Sequence, residues 1–222
     1  MGLLIIVGDL AEFLEGDENY NLDEPNEEDI EEYKEIYRAL DRFLIRCGLP
    51  GHQEPEILEK IPYRGESDNF TYPCLHYLRR AYVYKRKGLT VRPFEGELAS
   101  KDSLLAAEYN LQSLDSHLVY HSDCEGFYVP IDFTSPLIAL EEDDVLGDIV
   151  GSSYGLLREL IELAPAIDIL LNNGDLSEDK IANLIFDRHR DGHQFETERS
   201  VWFSLFEAAR NSINYKTAIR FG

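Results

Sequence analysis

The sequence predicts an α+β fold, with several helices packed around a small sheet, from three observations. The chain opens on an apolar, β-branched run, Leu3-Leu4-Ile5-Ile6-Val7. Two runs rich in Val, Ile, Tyr and Phe, residues 117–121 and 127–133, flank a polar stretch ending in Gly126. Long segments between and after them repeat apolar residues every three or four positions, the period of a half-buried helix.

Taken in order, Leu3 to Val7 reads as a buried strand, and Leu10, Phe13 and Leu14 continue it into a short helix. Residues 16–25 are mostly Asp, Glu, Asn and Gly, which predicts a solvated loop. From Glu27 the spacing of Ile30, Tyr33, Ile36, Tyr37, Leu40, Phe43, Leu44 and Cys47 defines a helix. Asn26 can cap it; Glu27, Glu28 and Asp29 suit its positive end, Arg42 and Arg46 its negative end, and Gly48 and Pro50 stop it. Residues 51–71 hold two prolines and two glycines without a period, an irregular crossing rather than a linker.

A second long helix is predicted over 73–87, and a third over 100–114 with Ser100 as its cap. His117–His121 and Phe127–Phe133 read as a central β-hairpin whose five-residue loop ends on Gly126. Further helices follow from Ser152 or Ser153 to Pro165, from Ser177 towards Gly192, and around Trp202, Leu205, Phe206, Ala209 and Ile213. Asn173-Gly174 marks a turn. Thr217 to Phe221 alternates as a strand and can lie beside the N-terminal one. No internal repeat interrupts this pattern, so residues 1–222 are expected to form a single α+β domain.

The chain has 222 residues, 43 Asp and Glu against 21 Lys and Arg, and a formal net charge of −22. Hydrophobic residues make up 44 %, enough for a core, and a chain of this length buries roughly two thirds to three quarters of its unfolded surface. No apolar run approaches the roughly 20 residues of a membrane-spanning helix, so no membrane partner is expected and the setting reads as cytoplasmic. Three widely spaced cysteines, Cys47, Cys74 and Cys124, argue against a disulfide framework or a zinc knuckle. Such an excess of carboxylates repels phosphate, which makes nucleic acid an unlikely partner.

The exception to that last point is Arg79, Arg80, Lys85, Arg86, Lys87 and Arg92, interleaved with Tyr77, Tyr82 and Tyr84. Stacking tyrosines beside arginines suit single-stranded nucleic acid. The competing reading makes this segment an internal counter-surface for the acidic N-terminal helix, because residues 9–35 hold thirteen carboxylates and one lysine.

The segment His117 to Asp132 concentrates two His, two Asp, one Glu and one Cys in sixteen residues. On a strand, His117 and His121 lie about 13 Å apart, too far to share a metal ion. The remaining candidate is His121, Asp123 and Cys124 at the loop, as ligands or as a thiol and its base, the site of a metal- or thiol-dependent hydrolase. The alternative is an Asx turn at Asp123 beside packing or solvated His121 and Cys124. His189 and His193 form a second pair, but Arg190 stands where a metalloprotease motif needs glutamate. No phosphate loop, dinucleotide fingerprint or serine-nucleophile elbow is present, and no cofactor is expected.

The block "SHLVYHSDCEGFYVPIDF", with "VGDLAEFLEGD", "LHYLRRAY" and "VWFSLFEAARNSINYKTAIRF", resembles a group of uncharacterised bacterial proteins over most of the chain. The resemblance implies a bacterial cytosolic setting and brings no activity, cofactor or catalytic residue.

Two functions from different classes follow. The first is a binding protein that captures a basic protein partner, in the manner of an immunity or antitoxin-like inhibitor of a cationic nuclease. Its surface would be Glu27, Glu28, Glu31, Glu32 and Glu35, with Glu141, Glu142, Asp143 and Asp144 as a second patch. The second is the hydrolase centred on His121, Asp123 and Cys124.

Overall fold

The computed structural model describes residues 2–15, 25–62, 64, 70–111, 113–188 and 193–222. The loop expected over 16–25 therefore lies outside the described residues apart from Pro25, as do His189 and Arg190 of the second histidine pair.

Strand β1 (Gly2–Leu3) and strand β2 (Ile5–Val7) lead into helix α1 (Asp9–Glu15). Helix α2 (Glu27–Arg46) occupies nearly the expected span, and the Asn26 side chain accepts from the N–H groups of Glu28 and Asp29 at 2.9 and 3.0 Å. Residues 51–62 cross the molecule without helix or strand, and β3 (Phe70–Thr71) pairs with β1. Helix α3 (Pro73–Arg86) follows as predicted.

Helix α4 spans Ser103–Leu111, shorter than expected, because residues 99–101 make a separate 3-10 turn. Asp102 rather than Ser100 caps it, accepting from Leu104 N–H at 2.9 Å and Leu105 N–H at 3.2 Å. Then come β4 (Gly126–Val129), β5 (Leu137–Ile138), β6 (Ile149–Ser152), α5 (Ser153–Leu163), α6 (Glu178–Arg188), α7 (Glu196–Tyr215) and β7 (Ile219–Phe221).

Five strands form one sheet in the order β2-β7-β4-β6-β5. The C-terminal strand does lie antiparallel beside the N-terminal one, with Ile6 opposite Arg220. Alternate side chains of β4 serve two cores. Phe127 and Val129 join Leu10, Tyr37, Leu40, Phe43 and Leu44 on the α1 and α2 side. Tyr128 joins residues of α3, α5 and α7, including Trp202, whose indole N–H donates to Leu160 O at 2.7 Å. The fold is α+β, with the sheet covered on both faces.

The central hairpin does not form. Residues 117–119 are a turn, because side chains from two helices claim the backbone groups that a strand ladder would need. The Glu159 carboxylate on α5 accepts from His117 N–H at 2.8 Å, Leu118 N–H at 2.7 Å and the Ser116 hydroxyl at 2.9 Å. From α3, the Arg79 guanidinium donates to Leu118 O and His121 O at 2.8 Å and to Ser122 O at 3.0 Å. Gly126 still takes the positive φ expected of it, 112°. Its strand runs instead between β7 and β6, parallel to β6 with Tyr128 opposite Gly151.

The turn presses His117 onto the start of α5. Its Nδ1 accepts from Ser152 N–H at 3.1 Å, so Nε2 carries the proton and donates to Phe133 O at 3.0 Å. The ring occupies the space that a side chain at Gly155 would need, which explains a glycine inside this helix.

Candidate protein-binding surface

Helix α2 is anchored from below. Asp9, buried at the start of α1, accepts from Tyr33 Oη at 2.7 Å, Tyr37 Oη at 2.7 Å and Arg220 Nη1 at 2.9 Å. Phe13 stacks on Tyr33 with ring centroids 4.0 Å apart. These contacts fix which side of the helix faces outward.

On the outer side, Glu27, Glu28, Asp29, Glu31 and Glu32 are exposed and Glu35 half-buried. Six carboxylates stand in nine residues at about 1.5 Å of rise each; with Glu31 and Glu35 paired to arginines, the other four amount to one negative charge per roughly 3.4 Å of helix axis. Each strand of duplex DNA carries one per roughly 3.4 Å. Glu31 pairs with Arg38, and Glu35 with Arg42 at 2.8 Å; these arginines hold both carboxyls below the usual glutamate range. Lys34 turns away to Glu56, at 2.7 Å.

The second acidic stretch lies at the other end of the same helix. Arg38, Arg42 and Arg46 continue the outer stripe at four-residue intervals, and Arg46 pairs with Asp143. Asp143 is the structural member of its quartet: its carboxylate also accepts from Leu140 N–H at 2.7 Å, which closes a 3-10 turn over Glu141–Asp143. Glu141, Glu142 and Asp144 remain exposed. The two patches are thus not merged but set apart along α2, with Glu31 and Arg46 separated by about 22 Å of helix.

The residues of the second candidate separate. His121 is buried, its ring stacked on Tyr128 at 4.0 Å and its Nε2 bonded to Phe127 O at 3.0 Å. Burial drives its pKa down to about 4, so it is neutral at pH 7. Asp123 turns to Arg79 and to His76 Nε2 at 3.2 Å. Cys124 is exposed, its thiol 3.6 Å from the Ser122 hydroxyl. Among the described residues no group of three His, Cys, Asp or Glu is arranged to hold a metal ion.

Five of the six cations of the basic segment are paired internally, though not by α2, while Arg92 is exposed. Arg79 meets Asp123, Arg80 meets Asp102 at 3.0 Å, Lys85 meets Glu162 at 3.1 Å, Arg86 meets Asp115 at 2.7 Å, and Lys87 meets Glu108 at 2.8 Å. The counter-charges come from α4, α5 and the loops around them. His193, the described half of the second pair, accepts from Phe195 N–H at 3.0 Å.

Two features are not readable as contacts in the sequence: the arginine ladder that joins the patches, and the convergence of His76 on Asp123, a question the residues leave open. The first had a signal in the spacing of Arg38, Arg42 and Arg46. The second had none, because 47 positions separate its partners.

With most cations of the basic segment paired internally and carboxylates crowded along one exposed helix, this is an acidic-surfaced α+β protein. The chain belongs to the family described as "Putative DNA-mimic protein", which matches residues 1–221. Neither the curated proteins nor the solved structures contain a match. No described helix is long and apolar enough to cross a membrane.

Proposed function

We propose that the protein binds a basic, DNA-binding protein by presenting α2 in place of a phosphate backbone. The observation that carries this reading is the density of carboxylates over residues 27–35, whose unneutralised charge is close to that of one strand of DNA. A cleft shaped for phosphates meets a comparable line of negative charge, and the −22 net charge steers the encounter. Family membership supports the same reading.

The finer form of the proposal is an immunity or antitoxin-like inhibitor acting in the bacterial cytosol, with a cationic nuclease as its partner. The carboxylates Glu27, Glu28, Glu31, Glu32 and Glu35 enter the nuclease's phosphate-binding cleft, and Glu141, Glu142 and Asp144 make the outlying contact.

A tagged pull-down at low salt and at 0.5 M salt tests the binding reading. The expected result is a basic protein retained at low salt, weakened at high salt and displaced by duplex DNA. Retention indifferent to DNA removes the mimicry. Nuclease activity in the retained protein, and its loss on adding this chain, tests the finer form. Replacing the five α2 glutamates by glutamine should slow association at low salt by about ten-fold or more, and unchanged kinetics would remove α2 as the contact.

A further inference from the structure

A cavity of about 560 Å³ opens beside the turn that replaces the expected hairpin. Its polar wall is Arg79, His76, Tyr109 and Asp123; its apolar wall includes Leu114, Val119 and Ile138, with the Tyr120 ring alongside. This volume lies within the range of small-molecule sites.

The hydrogen-bond inventory dictates what can enter. Arg79 gives four of its five N–H groups to three carbonyls and to Asp123. Both His76 nitrogens are engaged, Nδ1 with Tyr109 Oη at 2.8 Å and Nε2 with Asp123 at 3.2 Å. The Tyr120 hydroxyl is held by Ser113 at 2.7 Å and by Glu108 at 3.2 Å. All but one of the wall's donors are therefore spent. A carboxylate has about four lone-pair positions, and Asp123 uses two of them here. Burial opposes its charge, but His76 and Arg79 outweigh that and hold the carboxyl at about 2, ionised throughout the ordinary pH range.

We propose that this cavity binds a small organic cation, an ammonium or guanidinium carried on an apolar body. The cationic head donates to the free lone pairs of Asp123 and lies against the tyrosine rings, while the body fills the apolar side. The site is independent of the α2 surface and does not rest on the DNA-mimic reading.

Calorimetric titration with phenethylammonium tests the proposal, with 2-phenylethanol and phenylacetate as its neutral and anionic counterparts. The expected order is the ammonium about ten-fold tighter than the alcohol, with no binding of the acid. Failure of the ammonium to bind, or equal binding of the alcohol or the acid, overturns it. Asp123→Asn should abolish the preference for the cation. Because that change also disturbs Arg79, Ile138→Trp provides a second variant: Ile138 is half exposed on β5 and lines the cavity, so the indole should block entry while the fold is kept. Undiminished ammonium binding in a folded Ile138→Trp protein also overturns the assignment. A capped Gly-Arg-Gly peptide distinguishes the sources of such a cation. Binding of the peptide points to the side chain of a bound protein, and its exclusion, with the free amine still bound, points to a metabolite.

Discussion

The outer side of α2 and the turn over residues 116–123 use the same charged residue types for opposite ends. On α2 the carboxylates stand in water, and their arginine partners are exposed with them, so each pair contributes little to folding. At the turn, Arg79 and Glu159 are withdrawn from water, and each satisfies three backbone or hydroxyl groups. A buried charge that is part of such a network cannot be removed cheaply. Exposed charge is therefore available for recognition, while buried charge specifies the backbone path, and the two should respond differently to the same substitution.

The largest expected effect breaks the buried side. Arg79→Met strands the carbonyls of Leu118 and His121 and leaves the Asp123 carboxylate to His76 alone, and should destabilise the protein by about 3–5 kcal/mol; denaturant unfolding reads it directly. Next comes pH. Burial lowers His117 and His121 to about 4, from an ordinary 6.5. Their contribution is complete above pH 6.5 and is lost as the pH falls towards 4, at about 3 kcal/mol each.

Burial raises Glu159 to about 7, so its term has the opposite sign: stability is greatest below pH 4.5 and is lost as the pH rises to 7. The wild type should therefore lose less on acidification than its histidines alone would give, and Glu159→Gln, which removes the compensation, should show a steeper fall between pH 6.5 and 4.5. Equal slopes in urea titrations at these pH values would contradict the assignment.

Gly155→Ala pushes a methyl group into the His117 ring and should cost about 1–3 kcal/mol in the same assay. The smallest effect is Arg46→Met on the exposed stripe, worth at most about 0.5 kcal/mol. Its consequence belongs to recognition: the 141–144 turn loses its tie to α2, and any partner that touches both patches should dissociate faster.

Much of this architecture was legible because it is encoded locally. The period from Ile30 to Phe43, the Asn26 cap and the flanking charges all describe α2 without reference to the rest of the chain. The C-terminal alternation likewise identified β7. The hairpin misled because the Val, Tyr and Phe content around Gly126 is equally suited to a strand between two distant neighbours, and nothing within 117–121 reveals that Arg79 and Glu159 will claim its backbone. At the surface, charge density could be read directly, whereas the burial of Asp143 under Arg46 is a tertiary fact. His121 and Cys124 were grouped by adjacency, yet folding sends one into the core and leaves the other in solvent.

The anchoring of α2 through Asp9, Tyr33, Tyr37 and Arg220, together with the Arg46 tie at its far end, makes the helix a rod about 30 Å long that carries its carboxylates over the first half. Duplex DNA yields to the proteins that bind it, and many of them draw affinity from bending or kinking it. A rod offers no such compliance. Under the proposed reading, the protein would select among DNA-binding partners by the shape they demand of their template, favouring those that grip an undistorted backbone and passing over those whose grip depends on bending it.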